Sequence, residues 1–352
     1  MASTAASRAG KAVSTTPTTV LLLGASGQLG NALRQHWCQP QFEGRICQIA
    51  SRHEAVDIAD RAAVREQISN THPDIIINCA GFTDSRMAEN EKEACWRTNV
   101  LGTQHLVECC QEWRIDLVHI SSDFLYGLDN QPYRQFLACR RAAQGGCHCP
   151  EEPADPRYGE QSPAAPIGHL AMTKLAAEHA ILQAYASDYD LRAWILRTAC
   201  LFEPPWRTAR NFLHSTATRL ASRPEPVPLV NDVYTSICYA PELAQVIAWL
   251  VEQRETNWFP RGIYNVANSG APSLYDIAAR LAANLQYPLG RVRPVSSREY
   301  AQGGTSGSAV CRRHYTVLNC DRYAAVRGPD MGPWEQAVDA WCQAARDNAF
   351  FR

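Results

Sequence analysis

The stretch that most restricts how this chain can fold is Val20-Leu21-Leu22-Leu23-Gly24-Ala25-Ser26-Gly27-Gln28-Leu29-Gly30. Four consecutive apolar residues suit a strand buried on both faces, which parallel sheets require. Three glycines, each separated from the next by two residues, then end the strand abruptly, and a helix has to begin. Glycines at such a turn let the backbone approach a phosphate group, and the free N–H groups of a helix start favour negative charge. Gly24, Ser26, Gly27, Gln28, Leu29 and Gly30 are therefore the candidate pyrophosphate cradle, with the Ser26 hydroxyl as an extra donor. A glycine triplet also serves purely structural turns; its place directly after a buried-strand pattern favours the cradle.

Beyond the glycine turn the chain alternates helix-like and strand-like segments, as an α/β protein does. Gln28–Trp37 reads as the first helix and Arg45–Ala50 as a second strand, ending in Ser51-Arg52. Dinucleotide folds often carry an acidic residue here for the ribose hydroxyls. A hydroxyl and a guanidinium instead suit a ribose 2′-phosphate, which favours NADP(H) over NAD(H); the other reading of Arg52 is a solvated surface charge. A helix over about 61–70 leads to Ile75-Ile76-Ile77-Asn78-Cys79-Ala80-Gly81, a third buried strand with a small-residue exit. Cys79, Ala80 and Gly81 read either as a wall for the nicotinamide half of a cofactor or as a tight strand-to-loop turn.

Composition narrows the function classes. The chain has 352 residues, 46% of them hydrophobic, and a net charge of −1, so nothing draws it generally to nucleic acid or anionic membrane. No apolar run is long enough to span a bilayer. Residues 1–19 are rich in Ala, Ser and Thr and lack acidic residues, as organelle transit peptides do. Without an amphipathic pattern they are expected to be a disordered tail, and the chain cytoplasmic. Fourteen cysteines are scattered through strand-like and helix-like segments, the pattern of buried thiols in a reducing compartment. Cys147-His148-Cys149, with Cys139 upstream, matches no zinc-knuckle spacing, and no metal is expected.

The Gly24-x-x-Gly27-x-x-Gly30 spacing resembles the extended branch of the short-chain dehydrogenase/reductase superfamily. Asn78-Cys79-Ala80-Gly81-Phe82-Thr83, Ala88-Glu89 and Asn99-Val100-Leu101-Gly102-Thr103 make the resemblance narrower. They are similar to the dTDP-4-dehydrorhamnose reductase family, which reduces nucleotide-linked keto sugars with a nicotinamide cofactor. The resemblance implies a Rossmann-type doubly wound parallel sheet over 20–200, with an insertion at about 128–165. A smaller C-terminal α/β substrate lobe comes next over 201–352, its elements interleaved with the first domain. It further implies that Asp57 and Ile58 border the adenine and that Thr83, Asn99 and Thr198 stand near the cofactor. Ser122 would hydrogen-bond a substrate carbonyl, and Lys174 would hold the nicotinamide ribose.

One departure dominates. In the superfamily a tyrosine four residues before the lysine donates a proton to the carbonyl oxygen; four residues before Lys174 stands Leu170. An aliphatic side chain has no proton to give. Tyr126 after the fourth strand is the first substitute candidate. His169, about 100° round the helix from Leu170, is the weaker one. Water or the substrate itself is a further source. Smaller departures are Ser85-Arg86 for a Val-Asp pair and His314 for a proline in the C-terminal signature. The leading expectation is an NADP-dependent reductase of a nucleotide-linked sugar with an altered proton donor. The alternative is a cofactor-binding regulatory subunit, like that of methionine adenosyltransferase in the same family. The protein partners this leaves open are a second copy of the chain and an enzyme it regulates.

Overall fold

The computed structural model describes residues 16–51, 56–127, 155–187, 191–205, 211–256, 258–302 and 314–348. Arg52, most of the expected tail, and residues 128–154 of the insertion with Cys139 and Cys147-His148-Cys149 lie outside the described residues.

In chain order, β1 (Thr18–Leu23), α1 (Gln28–Trp37), β2 (Ile46–Ser51), α2 (Arg61–Thr71) and β3 (Ile75–Asn78) come first. Helices α3 (Ser85–Asn90), α4 (Lys92–Trp96) and α5 (Gly102–Trp113) precede β4 (Asp116–Ser122), α6 (His169–Ser187) and β5 (Ala193–Thr198). Next are β6 (Cys200–Phe202), α7 (Phe212–Ser222), β7 (Val227–Val230), β8 (Tyr234–Thr235), β9 (Ile237–Tyr239), α8 (Ala240–Gln253) and β10 (Gly262–Asn265). The chain continues with α9 (Leu274–Asn284), β11 (Val292–Val295), α10 (Ser297–Gln302), β12 (Tyr315–Thr316), α11 (Asp321–Ala324) and α12 (Trp334–Asp347).

The main sheet has the order β10-β5-β4-β3-β1-β2, and every neighbouring pair is parallel. Strand order therefore reverses between β1 and β3, where open α/β sheets form a ligand crevice beyond the carboxyl ends of the strands. The middles of β1, β3, β4 and β5 are largely apolar because the sheet is covered on both sides. Val20, Leu22, Ile75, Ile77, Val118, Trp194 and Leu196 face α1 and α8. Leu21, Leu23, Ile76, Leu117 and Ile195 face residues of α2, α5 and α6. The alternation of side chains along each strand thus divides an apparently uniform run into two cores.

Short parallel pairs, β6 with β9, β7 with β11 and β8 with β12, lie outside that sheet. Their core includes Phe202, Leu213, Ile237, Ile277, Leu281 and Trp341. Helix α9 begins with a reciprocal capping box, Ser273 accepting from Asp276 N–H while the Asp276 carboxylate accepts from Ser273 N–H, which satisfies two otherwise unpaired donors.

Candidate active site

The glycine turn brings three elements to backbone contact. Gly24 has φ +73, and a Cβ built there would lie 2.6 Å from Ala80 N and 2.7 Å from the Cys79 carbonyl carbon at the β3 exit. A Cβ at Gly30 would collide with Gly24 O and lie 2.7 Å from Ala25 Cα. These neighbours are backbone, so no side chain can move to relieve them. Gly30→Ala is therefore expected to cost about 1–3 kcal/mol in overpacking and to weaken NADPH binding at least about tenfold; fluorescence titration reads the second effect, and an unchanged affinity would contradict this packing.

Gly27 caps α1 without a side-chain hydrogen bond, and the first turn contains no acidic residue, leaving its N–H groups for an anion. Ser26 is exposed, and its carbonyl accepts from Asn31 Nδ2 at 3.1 Å. Leu29 is buried in the core beneath. Ala25 N–H donates to Ser51 O at 3.1 Å, tying the end of β2 to the turn. Gln28 Oε1 and Ser51 Oγ are buried without a partner among the described residues. Orphaned polar atoms at both ends of a bare phosphate cradle fit a dinucleotide. Beside them, Asp57 Oδ1 accepts from Ala59 N–H at 3.0 Å, and buried Ile58 fills the space where a Gly102 Cβ would come within 2.7 Å of it.

At the β3 and β4 exits the structure brings Gly81, Asn99 and Lys174 together. A Cβ at Gly81 would lie 2.7 Å from Asn99 Oδ1 and 3.4 Å from Lys174 Nζ. Asn99 sits in a π-helical turn, Arg97–Leu101, between α4 and α5; such widened turns often accompany functional sites. Lys174 is 9% exposed and donates to Ile120 O at 3.3 Å. Burial pushes its pKa down, while Cys95, Cys79 and Glu178 pull the other way. Burial raises the Cys79 thiol to about 12, against the nearby Lys174 charge, so it stays protonated. Ser122 pairs in register with Thr198 at the strand ends. Its Oγ accepts from Phe124 N–H at 3.2 Å and donates to Asp123 Oδ1 at 3.1 Å. Thr198 Oγ1 donates to Ser121 O at 3.4 Å. Thr83 is exposed in the loop before α3.

Tyr126, the first substitute proton donor, is placed in the interior with its hydroxyl engaged. The side chain is 0% exposed and stacks on Tyr158 at 4.5 Å between ring centroids. Its hydroxyl accepts from Arg197 Nη1 at 2.8 Å and lies 3.1 Å from Gly159 O and 3.3 Å from Asn265 Oδ1. It is a fixed part of a buried cluster with Tyr158, Ala199, Ala267 and Tyr315. His169 is likewise turned away, its Nε2 lying 2.9 Å from Lys92 O. Leu170, 4% exposed, packs with Ala88, Cys95, Phe82 and Phe124.

Two buried networks were nearly silent in the sequence. Arg197, near the C-terminal end of β5, forms a buried ion pair with Glu178 on α6, Nη2 to Oε2 at 2.6 Å, and Ser121 Oγ donates to Glu178 Oε1 at 2.5 Å. The four-residue step from Lys174 to Glu178 along α6 is the one hint available beforehand. In the second network Ala80 N–H donates to Asn78 Oδ1 at 3.1 Å, which turns Asn78 Nδ2 towards His119 Nδ1 at 3.2 Å. His119 is then a neutral ring with its proton on Nε2. Burial, with Lys174 adding to it, lowers its pKa to about 3. Between an unfolded value of about 6.5 and the folded value, the unfolded chain binds the proton better, so stability falls as pH drops through that window. His119→Gln is expected to flatten the fall in Tm between about pH 6 and 4; parallel profiles for variant and wild type would exclude His119 as its source.

Among the described residues no group of three His, Cys, Asp or Glu side chains is placed to hold a metal ion, and no helix is long and apolar enough to cross a membrane. Residues 18–346 match the family described as RmlD substrate binding domain. The chain is 29% identical over 321 residues to dTDP-4-dehydrorhamnose reductase of Mycobacterium tuberculosis, covering 91% of this chain and 90% of that one. It is 29% identical over 322 residues to dTDP-4-keto-6-deoxy-D-glucose reductase of Streptomyces niveus, covering 90% and 94%. Among solved structures, dTDP-4-dehydrorhamnose reductase from Bacillus anthracis in complex with NADP superposes with a TM-score of 0.74 at 23% identity, over 92% of this chain and 98% of that one. UDP-glucose 4-epimerase from Thermus thermophilus in complex with NAD gives 0.70 at 17%, over 94% and 99%. These two likenesses bear on the fold, and it is the Rossmann-type doubly wound sheet expected from the sequence. Since the family match runs from the first strand into the last helix, the chain belongs to the RmlD substrate binding domain family.

Proposed function

We propose that the chain is an NADP(H)-dependent reductase of a keto group on a nucleotide-linked sugar, working without the usual tyrosine. The observation that carries this is the meeting of an intact phosphate cradle with Ser122, Asn99 and Lys174 at the strand ends, in a family whose similar members are named keto-sugar reductases. Lys174 holds the ribose of the nicotinamide half, and the Ser122 hydroxyl, turning its hydrogen from Asp123 Oδ1, donates to the carbonyl oxygen. A bound reduced nicotinamide supplies the hydride. The buried Ser51 Oγ, unpartnered among the described residues, supports the 2′-phosphorylated cofactor. With Leu170 aliphatic and Tyr126 buried and held by Arg197, the proton comes from solvent. The described cysteines are free thiols, two of them exposed, which supports a reducing compartment such as the cytoplasm.

The test is NADPH oxidation followed across a panel of nucleotide-linked 4-keto sugars. Turnover with at least one is the expected result. Binding of NADPH with no oxidation across the panel would remove the enzymatic reading. It would leave the second reading, a cofactor-binding regulatory subunit, which the sealed apolar setting of Leu170 favours.

A further inference from the structure

Three hydrogen bonds join the cofactor wall to the first turn of α6, and the direction of each is fixed. Phe82 N–H can only donate, and it meets Asn99 Oδ1 at 2.8 Å. The amide nitrogen of Asn99 therefore faces the other way and donates to Thr173 Oγ1 at 2.9 Å. With its oxygen accepting from Asn99, the Thr173 hydroxyl gives its own hydrogen to Leu170 O at 2.8 Å. Thr173 is 0% exposed. Cys95 Sγ lies 3.6 Å from both Thr173 Oγ1 and Asn99 Nδ2, too weak a partner to replace the hydroxyl. An asparagine amide can turn end for end, and this one is held from both sides, by Phe82 N–H at its oxygen and by the Thr173 oxygen at its nitrogen. Turned round, Asn99 would set its NH₂ against Phe82 N–H, donor against donor, and the Gly81–Phe82 peptide would lose its anchor.

We propose that Thr173 is a positioning residue that, through Asn99, sets the Gly81–Phe82 peptide against which the nicotinamide half of the cofactor rests. This builds on the cofactor reading above, adding to it a residue that touches neither cofactor nor substrate. The geometry ties the cofactor wall to the same turn of α6 that carries Leu170 and, one turn later, Lys174. The hydroxyl matters because its loss orphans a buried donor, and such a donor is costly to leave unpaired.

The test compares Thr173→Val, which keeps the shape and removes the hydroxyl, with Thr173→Ser, which keeps the hydroxyl. Calorimetric Kd values are measured on the full chain for NADPH and for 2′,5′-ADP, which spans only the adenine half. Thr173→Val is expected to raise the NADPH Kd about tenfold and leave the 2′,5′-ADP Kd unchanged, while Thr173→Ser restores the wild-type value. An unchanged NADPH Kd in Thr173→Val, or an equal rise for both ligands, overturns the proposal, because the second result marks a general loosening of the fold. A wild-type chain that binds neither ligand at millimolar concentration overturns the cofactor reading and this inference with it.

Discussion

Leu170→Tyr is expected to raise the rate of NADPH oxidation with a nucleotide-linked keto sugar by a factor of about 10²–10⁴, the usual contribution of a positioned general acid. Residues four apart on a helix share a face, so a phenol at position 170 stands on the same side of α6 as Lys174. The lysine is already buried there beside Gly81 and Asn99, and its charge would favour the phenolate and bring the phenol closer to neutral pH. The new ring has to enter the cluster of Ala88, Cys95, Phe82 and Phe124, and the extra volume should cost about 1–3 kcal/mol, visible as a lower Tm. Single-turnover kinetics separates the two effects, since stability and rate move in opposite directions. A variant that binds NADPH as well as the wild type and reacts no faster would show that position 170 is not where the proton is needed.

The second large effect lies below the crevice. Glu178→Gln is expected to destabilise the chain by about 3–5 kcal/mol, because it leaves the Arg197 guanidinium buried without its counter-charge. The pair is 1% and 6% exposed. Arg197 Nε adds a second bond to Glu178 Oε1 at 2.9 Å, and Nη1 reaches the Tyr126 hydroxyl and Glu160 O. Replacing both partners, Glu178→Leu with Arg197→Met, removes the unpaired charge as well as the pair and should recover most of the loss. Urea unfolding of the two variants measures this; a double variant as unstable as the single one would mean that the pair contributes more than it costs to bury. Lys174 lies one turn before Glu178 on α6, so the single variant should also weaken NADPH binding.

Local physical chemistry made much of this architecture readable in advance. The run from Val20 to Leu23, the glycine turn and the helix Gln28–Trp37 declare themselves because backbone conformation and solvent exclusion act over a few residues. The strand Ile75–Asn78 and the helix that carries Lys174 were legible for the same reason. The polar groups beneath the crevice were not. A serine, a glutamate and an arginine far apart along the chain carry no mark that they will neutralise one another. Tyr126 looked available in the sequence only because its partners come from Arg197, Gly159 and Asn265. The π-helical turn that orients Asn99 is a fault in helical phase that composition does not announce.

The sequence by itself determined that a glycine turn and a helix start come directly after a buried strand and that position 170 has no proton to offer, since both depend on residue type and near neighbours. Only the tertiary structure decided which polar side chains face the crevice and which are spent holding it. That choice depends on the crossing of β4, β5 and α6, where burial forces each hydrogen-bonding group to find a partner from a distant part of the chain.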